Sequence, residues 1–197
     1  MKISKMIIMI KREVRVIGWD DTKFERNQKD KVTLVGVIVR GGSFLDGMLT
    51  TRVAYDGLDA TEKIAKAINN SRHKDQLRYI MTNGISFAGF NLVDIKELYK
   101  FTNLPTIAIM RKMPNIKKFI EAMKIFDDFE KRKEIVKNSG KIYFFQKKRI
   151  YYQKAGISKK EAEELIAITA THSNVPEPIR LAHIIASGLS GESKGRA

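Results

Sequence analysis

Three β-branched runs fill the first quarter of the chain, and they leave it few folds to choose from. Val14 to Trp19 ends at Asp20 and Asp21, Val32 to Val39 is closed by Gly41 and Gly42, and Leu45 to Tyr55 follows almost at once. Short β-branched stretches bounded by Gly and Asp read as strands, so a meander of three strands is expected to open the domain. The period then changes. Asp59 to Asn69 carries Ile64, Ala65, Ala67 and Ile68 at helical spacing, with Asp59 and Glu62 forming a capping-box-like start. Tyr79 to Met81 is a short buried strand, Asn91 is expected to cap a helix from Leu92 to about Phe101, and Leu104 to Ile109 is another apolar strand. Strand, helix, strand implies a parallel pair with a right-handed crossover.

Pro114 opens a helical stretch in which Ile116, Phe119, Ile120 and Met123 recur on one face, and Lys124 to Asn138 continues as a charged helix or loop. Lys141 to Gln153 reads as a hairpin turning at Lys147 to Arg149, Ser158 with Glu161 starts a helix through Thr171, and Pro176-Glu177-Pro178 introduces a last helix to about Ser187. The expected class is α/β, with a mixed five-stranded central sheet, an antiparallel meander plus parallel strands, flanked by helices. For 197 residues one domain is expected over 1–187, with the Gly- and Ser-rich 188–197 a flexible tail.

The chain has no cysteine, which excludes disulfides, iron–sulfur clusters, thiolate zinc and a cysteine nucleophile. Chemistry is left to oxygen ligands, histidine and hydroxyls. The apolar run Met6 to Ile10 is too short for a signal peptide or a membrane span and is followed by Lys11 and Arg12, so a cytoplasmic protein with no membrane partner is expected. The net charge of +15 is uneven, since Arg111 to Lys160 holds 16 Lys and Arg against 5 Asp and Glu. Lys131-Arg132-Lys133 and Lys147-Lys148-Arg149 are either a solvated helix face and a charged turn, or part of a phosphate-tracking surface interleaved with Tyr143, Phe144, Phe145, Tyr151 and Tyr152. Nucleic acid, DNA or RNA, is the partner such a surface favours.

Four constellations could carry chemistry. Gly18-Trp19-Asp20-Asp21 puts an acidic pair at a strand's C-terminal end, where alternation lets only one carboxylate face a given cleft; it is a turn cap or an Mg²⁺ site. In Tyr55-Asp56-Gly57-Leu58-Asp59, Asp59 is a helix cap or a ligand and Asp56 an Asp-Gly turn residue or a ligand. Thr82-Asn83-Gly84-Ile85 followed by Phe87-Ala88-Gly89-Phe90-Asn91 is a Gly-rich loop after a strand, a frequent binding position in α/β sheets. In Pro176 to His183, Arg180 and His183 lie three apart and share a helix face. His73 and His172 read as turn and helix-end residues.

These segments resemble the archaeal proteins of unassigned function that are grouped with endonuclease V in the ribonuclease H-like superfamily. Gly18-Trp19-Asp20-Asp21, Arg40-Gly41-Gly42, Asp56 to Thr61, Phe87 to Asn91 and Gly191 to Arg196 carry the likeness to the archaeal group. The more distant tie to endonuclease V lies in Gly18-x-Asp20, Asp59 at the helix after the third strand, Asn83-Gly84, Pro105-Thr106-Ile107 with Arg111 after it, and Pro176-Glu177-Pro178-x-Arg180-x-Ala182-His183. The resemblance implies phosphodiester hydrolysis of nucleic acid with Mg²⁺ or Mn²⁺. In it Asp20 and Asp59 bind metal, Asp21 and Asp56 stand behind them, Asn83 and His183 complete the catalytic set, and Arg111, Lys112 and Arg180 hold substrate. Three departures stand beside it. Asn83 replaces a carboxylate, Asp59 is one methylene shorter than Glu, and the proline-tyrosine wedge of endonuclease V has no counterpart. A nucleic-acid-binding protein that has lost catalysis on a nuclease scaffold is the alternative.

Overall fold

The computed structural model describes residues 10–25 and 30–192. Strands β1 (Arg15–Asp21), β2 (Val32–Arg40) and β3 (Phe44–Val53) form the antiparallel meander. Helix α1 (Ala60–Asn69) leads to β4 (Tyr79–Asn83), which pairs parallel to β1. A small hairpin, β5 (Ser86–Phe87) with β6 (Asn91–Leu92), precedes α2 (Ile95–Thr102) and β7 (Thr106–Met110), which is parallel to β4. Then come α3 (Ile116–Ala122), a 3₁₀ turn at Met123–Ile125, α4 (Phe129–Asn138), β8 (Tyr143–Phe145), β9 (Ile150–Ala155), α5 (Lys159–Thr169) and α6 (Glu177–Gly188).

The sheet has seven strands in the order β3-β2-β1-β4-β7-β9-β8, not the expected five. The hairpin of β8 and β9 is present, but it is not a separate unit: β9 pairs antiparallel with β7 from Thr106–Ala155 to Met110–Tyr151. The pairing satisfies the outer edge of β7 and buries Ile150 and Tyr152 against α5, where Leu165 and Ile166 also pack.

Both faces of the sheet are covered, so β2 is buried nearly end to end instead of alternating. Ile17, Trp19, Leu34, Ile38 and Ile80 pack with Ile64 and Ile68 of α1 and Leu98 of α2. On the other face Val35, Val37 and Val39 meet Ala182 and Ala186 of α6. Trp19 lies opposite Gly36, where a Cβ would fall 2.7 Å from the indole. The helix starts show which polar residues cap and which do not. Asp94, not Asn91, caps α2, its Oδ1 accepting from Lys96 N and Glu97 N at 2.9 and 3.1 Å. Asn91 is held extended in β6, and its Oδ1 accepts the N–H of Ala60 at the start of α1. Ser158 caps α5 as expected, accepting from Glu161 N.

Helix α6 lies directly on β1 because Gly18 has no side chain. A Cβ there would sit 2.7 Å from Ile179 N and closer still to the Pro178 carbonyl. Gly18→Ala is therefore expected to push α6 off the strand and lower Tm by roughly 4–10 °C through overpacking. Gly188→Ala, where nothing lies within 4 Å of the added carbon, is expected to leave Tm unchanged or raise it slightly. Differential scanning calorimetry of both variants checks the contrast.

Candidate active site

Beyond the last residues of β1 the structure opens into a cleft of about 770 Å³, whose wall includes Asp20, Asp21, Asn83 and His183. Both acidic residues reach it, contrary to the alternation argument, because the cleft lies at the strand's end and draws on both faces of the sheet. Asp20 is 4% exposed. Its Oδ2 accepts from Asn83 Nδ2 at 3.0 Å and lies 2.9 Å from His183 Nδ1, while Oδ1 accepts from Asp21 N at 3.0 Å. The carboxylate thus joins β1, β4 and α6. The hydrogen bond to Asp20 raises the His183 pKa, against opposing contributions from burial and from the positive charge of Arg111.

Asp21 turns towards the loop that follows β5, and its Oδ2 accepts from Ala88 N at 2.6 Å. Burial pushes its carboxyl up to about 6, the Ala88 N–H opposes that rise, and the neighbouring Asp20 charge adds to it. The loop itself is fixed by unusual backbone. Ala88 (φ 44°) and Asp56 (φ 52°) both occupy the left-handed region, and Asp56 N donates to Ala88 O while Asp56 Oδ1 accepts from Phe90 N at 2.7 Å. Gly89 (φ 84°) leaves space for the Asp56 carboxylate that any Cβ would occupy.

Beneath this loop lies Arg132, which both readings of the Lys131-Arg132-Lys133 run, a solvated face or a phosphate-tracking surface, placed on the outside of the molecule. Lys131 and Lys133 are exposed, but Arg132 is 3% exposed. Its guanidinium donates to Asp56 O at 2.7 Å and Phe90 O at 2.6 Å, pairs with both oxygens of Asp128, and stacks 4.1 Å above the Phe126 ring. Asp128 four residues before and Val136 four residues after share its helix face, and that spacing was the available sign of an inward arginine.

The other expected site residues are distributed differently. Asp59 stands at the N-cap position of α1 but makes no capping bond. Its Oδ1 accepts from Ala54 N at 3.1 Å and Asn91 Nδ2 at 2.7 Å, and it does not line the cleft. Asp56 is likewise engaged in loop contacts. Arg180 is held bidentately by Glu177, both bonds 2.7 Å, and Glu177 also has His172 Nδ1 at 3.4 Å. Arg111 and Lys112 are exposed just past the end of β7. Lys23, Ser187 and Ser190 also line the cleft and carried no sequence signal. Of the expected tail, Gly191 and Glu192 border the cleft and Ser190 Oγ accepts from Lys23 N; Ser193 to Ala197 lie outside the described residues.

Among the described residues no group of three or more His, Cys, Asp and Glu side chains forms a metal cage. A hard divalent cation needs less than that, because Mg²⁺ is commonly held by one or two carboxylates with water and substrate phosphate. Asp20 and Asp21, two neighbouring carboxylates that both line the cleft, supply that number. No helix among the described residues is long and apolar enough to cross a membrane.

This mixed sheet has an endonuclease V-like fold. The solved endonuclease V of Bacillus subtilis superposes on it with a TM-score of 0.62 at 15% identity, covering 89% of this chain and 80% of that one. Endonuclease V of Ciona intestinalis, in complex with inosine-containing DNA, gives 0.58 at 14%, covering 88% and 84%. The chain belongs to the family described as Endonuclease dU, which it matches over residues 12–190. A UPF0215 protein of Methanosarcina acetivorans is 48% identical over 95% of this chain and 97% of its own length. A protein of unknown function from Archaeoglobus fulgidus has a solved structure with a TM-score of 0.83 at 36% identity, covering 90% of this chain and 98% of that one.

The Asp21 shift has a measurable consequence. A carboxyl whose folded pKa is raised from 3.8 to about 6 disfavours the folded state while it is charged, so its penalty is full above about 6 and vanishes below about 4. Asp21→Asn keeps a carbonyl oxygen for Ala88 N and removes the charge. In chelator at pH 7.5 it is expected to be more stable than the wild type by on the order of 1–2 kcal/mol. The difference should shrink as the pH falls through about 6 and approach zero only below about pH 4. Urea titrations of both proteins across that range check it.

Proposed function

We propose that the protein is an endonuclease that hydrolyses phosphodiester bonds in nucleic acid with a bound Mg²⁺ or Mn²⁺. The observation that carries the reading is Asp20, a buried carboxylate at the open end of β1 whose oxygens are fixed by Asn83, His183 and the Asp21 backbone. Asp20 and Asp21 would hold the cation, which when bound supplies charge stabilisation to the phosphoryl group and acidifies water. His183 uses Nδ1 for Asp20, which leaves Nε2 as its nitrogen for substrate, and the hydrogen bond to Asp20 favours the protonated ring that could give a proton to the departing oxygen. Lys23, Arg111 and Lys112 bring positive charge to the phosphates. Asn83 adds a neutral amide that orients Asp20. Asp59 holds the turn at Ala54 and the Asn91 side chain, and in this reading it positions the loop and binds no metal.

The family description points to deoxyuridine in DNA as the first substrate to assay, and inosine, present in the DNA bound to the Ciona enzyme, is the second. Cleavage of uracil- and inosine-containing DNA, undamaged DNA and RNA is expected to need Mg²⁺ or Mn²⁺ and to stop on chelation. Asp20→Ala should abolish it and His183→Ala should slow it by about 10²–10⁴-fold. Asp59→Asn preserves the acceptor oxygen and should retain most activity, whereas a metal ligand there would not tolerate the change. Absence of cleavage on every substrate, with Asp20→Ala indistinguishable from wild type, overturns the reading.

A second reading is favoured by Asn83 itself, whose neutral amide donates to Asp20 where a carboxylate would add charge. In it the scaffold binds nucleic acid without cutting. Calorimetry that finds no divalent-cation binding, together with oligonucleotide binding of steep salt dependence, selects it. Asn83→Asp would then be expected to gain cation binding.

A further inference from the structure

From the pairing of β7 with β9 and the aromatic pair it carries, we infer a subsite for a run of unpaired nucleotides on the outer strands of the sheet, centred on Phe144 and Tyr151. This inference rests on the nucleic-acid reading above. Phe144 and Tyr151 face each other across β8 and β9 with ring centroids 4.7 Å apart, and Phe144 is 43% exposed. Their neighbours Tyr143, Phe145 and Tyr152 point to the opposite face and pack against the α5 side. Only the Phe144–Tyr151 pair offers ring surface to solvent on its face of the hairpin, and exposed aromatic surface flanked by cations is what unpaired bases stack on.

The charge comes from two segments far apart in sequence that the fold sets side by side. From Arg111 to Ile120 and from Ser139 to Ile157 the chain contains no Asp or Glu. The Met110–Tyr151 pairing puts the first segment, beginning with Arg111 and Lys112, beside the turn that carries Lys147, Lys148 and Arg149. Lys148 is tied to Ala170 O, while Lys112, Lys147 and Arg149 are exposed. A polyanion is the occupant that these two acid-free segments select.

Position links the surface to the cleft. The order β1-β4-β7-β9-β8 places Asp20, Asn83, Met110, Tyr151 and Phe144 in succession along one end of the sheet. Four interstrand steps of about 4.8 Å separate β1 from β8, about 19 Å in all, or roughly six stacked nucleotides. Phe144 and Tyr151 rise from the face that Asp21 shares with Trp19, so a strand leaving the cleft passes over the end of β7 to reach them.

The test is binding of fluorescent oligonucleotides to the full chain in chelator, where nothing is cut. Single-stranded oligonucleotides longer than about six nucleotides are expected to bind more tightly than duplex of the same length. Phe144→Ala should weaken single-strand binding roughly 5- to 150-fold with an unchanged salt slope. Lys147→Ala with Arg149→Ala should lower that slope by roughly 0.7 per lost contact. The natural chain's one tryptophan, Trp19, is buried, so Phe144→Trp adds a separate reporter that should restore affinity and be quenched by a stacked base. Wild-type affinity in Phe144→Ala, or equal binding of duplex, overturns the subsite. So does a wild-type dimer, seen by sedimentation, that Phe144→Ala dissociates, because a second copy would then be the occupant. Binding in chelator is independent of cleavage, so loss of the subsite leaves the nuclease reading standing, and an inactive protein still tests the subsite.

Discussion

Helix α6 can reach the candidate site only because β1 presents hydrogen in place of a side chain at Gly18, letting the Pro178–Ile179 backbone rest on the strand. From that seat His183, one turn further along the helix, meets Asp20, two residues further along the strand. The parallel pairing of β1 with β4 brings Asn83 to the same carboxylate from the other side. Three elements far apart in sequence are thus brought to one buried oxygen by one close backbone approach and one parallel strand pairing. The Ala182 and Ala186 contacts with β2 continue the same tight packing, since small residues on the helix let it stay close to the sheet along its length.

The opposite wall is held by a different device. Asp21 accepts from Ala88, whose left-handed backbone is locked to Asp56, which is in turn bound through its carbonyl to the buried guanidinium of Arg132. Residues in sparsely populated backbone regions persist only where their surroundings over-determine them. Arg132 supplies that constraint, spending its donors on three carbonyls and one carboxylate. Phe90, packed between Phe119 and Phe126, ties the loop to α3 and the 3₁₀ turn. Distortion of this knot would be transmitted straight to Asp21.

The sequence carried the parts of the fold that are set locally. The meander, the parallel crossover, Ser158 as a cap and Pro178 at the start of the last helix all follow from period and cap chemistry, and the structure holds each. What failed to show were polar residues whose partners lie far away in sequence. Asn91 looks like the cap of the helix that follows it, yet it serves the helix 31 residues earlier, because the β6 pairing keeps it extended. Arg132 sits in a basic run that reads as solvent-facing, and its spacing from Asp128 and Val136 hinted at burial without naming the carbonyls of the 56–57 and 90 loops that hold it. The hairpin was legible but its place in the sheet was not, since an edge strand and a separate ribbon have the same local pattern. Asp59 shows the same limit at the site: a first-turn acid is compatible with capping, ligation or bracing a turn, and only Ala54 and Asn91 decide among them.

The distribution of charge follows from this arrangement. Asp20 and Asp21 lie at the end of β1, and one strand further along Asn83 contributes an amide where a third carboxylate would raise the local repulsion. With two acids the cleft keeps enough negative charge to attract a divalent cation, and little enough that the Asp21 carboxyl still ionises near neutrality. Across β7 the sign reverses, from Arg111 and Lys112 onward through the turn of the hairpin. An acidic end and a basic end of the same sheet edge suit the proposed phosphodiester substrate: in that reading the basic end lowers the cost of bringing the polyanion close, and the acidic end keeps the backbone from settling there without a cation to bridge it. Asn83 thus sets the number of charges at the acidic end, and Asn83→Asp would add a third carboxylate beside the two proposed to hold the cation.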